Sequence, residues 1–159
     1  MIDIIFAIKF VHVLFAAVMF GTWLCLAMFM LLAHRSGNTS VVALTSQFVV
    51  TVEKAVMIPA IVLQPISGFP LATAIGLQPL GEFWILVSLV FYAGIVACWF
   101  FAVRLEIRIR GVAREAALES QPLPKAYRRQ FRTWCALAVP GLLGVACIFA
   151  LMIWQPRLD

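Results

Sequence analysis

The sequence predicts an all-α fold, a four-helix transmembrane bundle with both termini outside and helix three extended into the cytoplasm. Three observations predict it. First, hydrophobic residues make up 64% of the 159-residue chain and charged residues 12%, with a mean hydropathy of +1.04. A soluble domain averages roughly 45–50% apolar residues, and a chain of this size could not hide so much apolar side chain. Second, uncharged stretches cover Phe10–His34, Ala55–Gly81, Phe83–Val103 and Thr133–Pro156. Each meets or exceeds the roughly 20 residues a helix needs to cross about 30 Å of hydrocarbon. Third, the basic residues are gathered in one place. Arg104, Arg108, Arg110, Arg114, Lys125, Arg128, Arg129 and Arg132 lie between the third and fourth stretches, and none lies in Leu77–Glu82. The positive-inside rule then puts the first and third connections in the cytoplasm.

These features exclude a disordered chain and a nucleic-acid-binding domain. The net charge of +5 is a topology signal, and no nucleic-acid partner is expected. The expected partner is the lipid bilayer, including anionic headgroups at the basic segment. The chain reads as a multi-pass protein of the bacterial inner (plasma) membrane. A transmembrane barrel would need alternating short strands, which are absent from the pattern. Met1-Ile2-Asp3 has no basic n-region, which argues against a signal peptide.

The whole chain, 1–159, forms one membrane domain with spans at about 5–33, 41–76, 83–104 and 133–155, and a cytoplasmic helix and loop over 105–132. Span one ends near Ala33, and His34-Arg35-Ser36-Gly37-Asn38 is a turn. Thr39 or Ser40 is the expected cap of helix two. Pro59, Pro65 and Pro70 interrupt that helix, and neighbours must satisfy the carbonyls they free. Helix three runs past the membrane to about Ser120, with Glu106 and Arg110 as an i,i+4 pair. Gln121-Pro122-Leu123-Pro124 breaks it. Tyr127–Arg132 leads into span four, which Pro140-Gly141 should kink. Trp84 and Trp154 fall at outer span ends and Trp99 and Trp134 near inner ends, as in an aromatic belt. Trp23 sits mid-span.

Ionisable and amide groups inside a span point to function by default. Lys9 is near the outer end and can snorkel to the headgroups. His12 lies deeper, on one helical stripe with Ala16, Met19, Trp23 and Met30. Such a stripe suits a flat macrocycle, a metal or plain helix packing. Glu53, Met57, Gln64 and Gly68 form a second stripe, beside Lys54, which must face the bundle interior. It reads as a polar seam between helices, a proton route or a site for cofactor propionates. Gln64-Pro65-Ile66-Ser67-Gly68 marks a local break that can line a cavity.

Four cysteines, Cys25, Cys98, Cys135 and Cys147, sit in apolar runs without a C-x-x-C pair and read as reduced small hydrophobes. His12 and His34 are about 33 Å apart on one helix and cannot share an iron. A haem on His12 would therefore take another group opposite, with Met57 or Met152 as candidates. Met57 lies about 8 Å off the level of His12 at the helical rise, and Gln64 lies level with it. No G-x-S-x-G, H-E-x-x-H, Walker or Rossmann pattern occurs.

Lys9-Phe10-Val11-His12-Val13-Leu14, followed by Phe20-Gly21-Thr22-Trp23, resembles the first helix of a family of predicted four-helix bacterial membrane proteins of unknown function. Glu53-Lys54, Met57-Ile58-Pro59, Tyr127-Arg128-Arg129 and Phe131-Arg132-Thr133-Trp134 fit the same family. That family is similar in turn to the HemJ protoporphyrinogen oxidases and, more loosely, to CopD-type copper-resistance domains. The HemJ resemblance implies haem b in the membrane, with His12 as axial ligand and Lys54 as the helix-two lysine. It also implies an oxidoreductase passing electrons between a substrate or partner and quinone. In this sequence Tyr92 is followed by Ala93, where HemJ-like chains often carry histidine. The cofactor-binding set is then His12, Met57, Gln64, Lys54, Glu53 and Trp23, with His12 and Met57 on the metal. Two other readings stand beside it. One is a haem-free scaffold or accessory subunit. The other is copper handling of the CopD kind, with Met19, Met30 and Met57 as soft ligands. A single histidine at this depth leaves room for a homo-oligomer that shares the group at its interface.

Overall fold

A computed structural model describes residues 2–156; Met1 and residues 157–159 lie outside the described residues. The helices are α1 (Ile2–Ser36), α2 (Thr39–Val52), α3 (Ile58–Ala74), α4 (Phe83–Leu118) and α5 (Lys125–Trp154). A π-helical segment, Glu53–Met57, joins α2 to α3 without a break. Four helices are thus long and apolar enough to cross a membrane: Ile4–Ser36, Thr39–Ala74, Phe83–Leu118 and Lys125–Trp154. The bundle has a termini end, where α1 begins and α5 stops, and a basic end, where α1 meets α2 and α4 meets α5.

Local sequence explains the boundaries. Gly37 adopts φ +64°, which lets the chain reverse after α1. The cap of α2 is Asn38, one residue earlier than the hydroxyl residues predicted. Its side-chain oxygen accepts from the Ser40 and Val41 amides at 2.9 and 3.2 Å, two of the orphan donors of a first turn. Beyond α4 the turn holds Ser120 at φ 54°, and Thr39 Oγ1 donates to the Gln121 carbonyl at 3.1 Å, tying the two basic-end connections together.

Helix two tolerates its prolines through the π segment. Pro59 has no N–H and its ring crowds the carbonyl one turn back. The preceding turn widens so that the Ile58 amide donates to the Glu53 carbonyl, five residues earlier. Pro65 and Pro70 lie inside α3 and Pro140 inside α5, each helix remaining continuous. The wide turn also changes the partner of helix two. Towards the basic end α2 packs chiefly on α4, and towards the termini end α3 packs chiefly on α1.

On α1 the buried positions are Met19, Trp23, Leu26, Met30 and Ala33, the helical stripe that continues outward through Ala16 and His12. The six-membered ring of Trp23 lies against Gly141 of α5, so close that a Cβ at Gly141 would overlap the indole. This close approach is what Gly141 provides. The long inner part of α4 is not a free cytoplasmic extension. Glu106, Ile109, Ala113 and Ala116 are buried there, because α1, α2 and α5 run equally far and cover that face. Glu106 therefore turns inward, away from Arg110, and accepts a bond from Trp134.

The tryptophans depart from a simple belt for the same reason. Trp84 and Trp134 are only 6% and 3% exposed, whereas Trp154 is 80% exposed. An indole N–H inside an apolar bundle needs an acceptor, and Glu53 and Glu106 are the acceptors for Trp99 and Trp134.

Replacing Gly141 by valine should force Trp23 out of its seat. We expect a loss of about 1–3 kcal/mol, the usual cost of overpacking a filled core. Gly111→Ala meets open space and should be neutral or gain about 0.5–1 kcal/mol from the helix preference for alanine. Thermal unfolding of both variants in detergent, beside the unaltered protein, checks the contrast.

Candidate functional site

The sequence places His12 and the Gln64–Gly68 break on different helices, and the structure brings them together. His12 Nδ1 lies 2.9 Å from Ser67 Oγ, and His12 Nε2 lies 3.4 Å from Gln64 Nε2. Gly68 makes the approach possible: a Cβ there would stand 3.0 Å from His12 Cε1, tighter than an ordinary contact. The three α3 residues thus have separate parts. Gly68 gives the ring room, Ser67 orients it, and Gln64 faces its second nitrogen.

Ser67 Oγ also lies 2.8 Å from the Leu63 carbonyl and 3.1 Å from the Gln64 carbonyl of its own helix. With its hydrogen on one of those carbonyls, Ser67 accepts from His12 Nδ1–H and Nε2 keeps its lone pair; with its hydrogen on Nδ1, Nε2 carries the proton. The Gln64 amide stands at the long limit of a hydrogen bond from Nε2. Its Oε1 is buried with no hydrogen-bond partner. An imidazole held through Nδ1 with Nε2 as the free base is the arrangement that metal-ligating histidines adopt. It also serves as a proton acceptor.

The other predicted site residues lie elsewhere. Met57 is fully buried against Trp23, Ile95 and Val145. Trp23 is eleven positions from His12, about 16 Å along α1. Met57 and His12 therefore do not face each other across one group, because the π segment turns Met57 and Gln64 towards different neighbours. Glu53 is 1% exposed and pairs with Trp99 of α4. Lys54 is exposed, pointing away from both centres, and Lys9 is exposed as well. The stripe read as one interior face is thus two. Glu53 and Met57 serve the middle of the bundle, and Gln64 to Gly68 serve His12.

The remaining candidates are scattered. Met30 packs with Leu26 and Phe131 towards the basic end, a different layer from Met57. Among the described residues no three His, Cys, Asp or Glu side chains gather as a metal set. All four cysteines are free. Ser67 was legible only as part of a helix break and Gly68 as part of that break and of the interior stripe; neither spacing nor composition marks them as partners of His12. Tyr92 was another residue the sequence left without a role. Its hydroxyl donates to the Ile61 carbonyl, one of those that the Pro65 ring leaves without an amide donor.

Fold and site together define a four-span integral membrane protein with an oriented histidine between its first two spans. The chain matches a family model described as predicted integral membrane protein (DUF2269) over residues 6–156, and it belongs to that family. No curated protein and no solved structure matches the chain.

Selective ¹⁵N labelling of the two histidines should show His12 with a protonated Nδ1 and a bare Nε2. Ser67→Ala removes the acceptor for Nδ1 and should abolish that preference, with a loss of about 1–3 kcal/mol for the unpaired donor. An unchanged His12 spectrum in this variant would show that Ser67 does not set the tautomer.

Proposed function

We propose that this protein is a haem b-binding redox protein of the bacterial plasma membrane, with His12 as its protein ligand and its basic end towards the cytoplasm. The HemJ-like resemblance of the first helix suggests the cofactor. The observation that carries the reading is the Nδ1 contact of His12 with Ser67, which in the Nδ1–H tautomer would leave Nε2 as an oriented lone pair. Gln64 is the neighbour of Nε2: its 3.4 Å contact is weak enough that a metal bond to Nε2 would displace it at little cost. Met57 packs with Trp23, Ile95 and Val145 in the middle of the bundle, and the reading gives it no part in holding haem. Haem supplies one-electron transfer, so the proposed activity is electron exchange between a substrate or partner and quinone. The chain's own residues orient the imidazole, hold its proton on Nδ1 and keep the surrounding helices apolar, which influences the potential.

A second reading rests on the same pair of contacts. If Ser67 and Gln64 together satisfy both nitrogens, His12 is a polar seam between α1 and α3 in a haem-free scaffold or accessory subunit.

The two readings separate in a reduced-minus-oxidised spectrum of the protein purified in mild detergent after growth with ample haem. The first expects a Soret band in the unaltered protein and its loss in His12→Ala. A colourless preparation, or a band that survives His12→Ala unchanged, overturns it. The seam reading expects no band, and a lower melting temperature in His12→Ala.

A further inference from the structure

A second polar centre lies apart from His12 and takes no part in the proposed haem site. Glu53 and Glu106 are 1% and 2% exposed, although neither is near a bundle end. Glu53 opens the π-helical segment, and Glu106 sits on the buried stripe of α4. Each accepts one indole N–H. Trp99 Nε1 donates to Glu53 Oε2 at 2.6 Å, and Trp134 Nε1 donates to Glu106 Oε1 at 2.7 Å. Trp99, which holds Glu53, lies seven positions before Glu106 on α4, about 10 Å along the helix. Glu106 Oε2 is buried and has no hydrogen-bond partner.

No cation stands ready to neutralise them. Among the described residues, neither carboxyl makes an ion pair. Lys54 follows Glu53 directly but is exposed, and Arg110 does not share the buried stripe of Glu106. The titratable groups nearest the pair's layer on the packed elements include His34 on α1 and Tyr127 and Cys135 on α5, whereas Arg104, Arg108 and Arg132 are exposed. His34 is held at the basic end, with Nδ1 3.1 Å from the Tyr127 hydroxyl and its ring stacked on Phe131. Phe131 stacks in turn on Trp134, so this aromatic layer lies between Glu106 and the basic end.

Two bare carboxylates buried in this apolar bundle would each carry a desolvation penalty of several kcal/mol, without an opposite charge to offset it. A proton or a small metal cation would remove that penalty. The donor set decides which. A metal ion needs lone pairs from several oxygens, whereas the indoles present N–H hydrogens. An indole donating to one carboxyl oxygen leaves the second free to carry hydrogen, and Glu106 Oε2 is such an oxygen. We propose that Glu53 and Glu106 form an intramembrane proton-binding site, in which the pair holds at least one exchangeable proton at neutral pH. The site is independent of haem, so the spectrum proposed above and the experiment below can fail separately.

Infrared spectroscopy of the full-length protein in lipid nanodiscs tests it. The expected result at neutral pH is a carbonyl stretch of a neutral carboxylic acid that shifts down in D₂O. Glu53→Gln or Glu106→Gln should remove part of it and the double variant all of it. Glutamine keeps the size and the acceptor for each indole. Glu115→Gln, on an exposed position of α4, should leave the band intact. Trp134→Phe keeps both carboxyls and should shift the band up by removing one donor. The proposal is overturned if the unaltered protein shows no such band or if the band persists in the double variant. Carboxylate bands that instead move with added sodium would also overturn it, assigning the site to a metal cation.

Discussion

The widened turn at Glu53–Met57 is the constraint on which both polar centres depend. Pro59 cannot continue the hydrogen-bond ladder, and inside lipid no water can take over the freed backbone groups. The helix absorbs the conflict by shifting one bond to the i+5 pattern. That shift rotates the face presented on either side of it. The half towards the basic end offers Glu53 to α4, and the half towards the termini end offers Gln64, Ser67 and Gly68 to α1. Had helix two stayed regular, all four would lie along one stripe and meet one neighbour.

Polar side chains in the bundle are then paired by hydrogen bonds between neutral or single-charged partners, with ion pairs playing no part among the described residues. Two indoles serve two carboxyls, a hydroxyl serves an imidazole, and Tyr92 serves a carbonyl near a proline. In a bilayer the hydrophobic effect does little to drive one helix onto another, so such bonds and close packing hold the spans together. The glycines act through packing. Gly141 admits Trp23, Gly144 admits Ile95 and Gly68 admits His12, each where a Cβ would press on a ring or a branched chain. Of the three buried side-chain atoms without a partner among the described residues, Gln64 Oε1 and Glu106 Oε2 fall one in each polar centre, and Gln130 Oε1 lies on α5 towards the basic end. Both centres therefore retain hydrogen-bonding capacity that the helices themselves do not use.

The sequence by itself determined the class and the number of spans, because apolar length and gathered charge follow directly from what lipid tolerates. It also marked His12, Glu53 and Gln64 as residues that lipid would reject, and matched Gln64 to the level of His12 from the rise per residue. It could not separate Glu106 from the solvent-facing charges around it. The burial of Glu106 depends on how far the other three spans run, a property of the assembled bundle. Nor could it pair Trp134 with Glu106, or Ser67 and Gly68 with His12, since those contacts join residues far apart in the chain. Only the tertiary structure decided which neighbour each polar group meets. The physical reason is local: one extra residue in one helical turn redirects the whole of helix two, and periodicity read along the sequence assumes that every turn is alike.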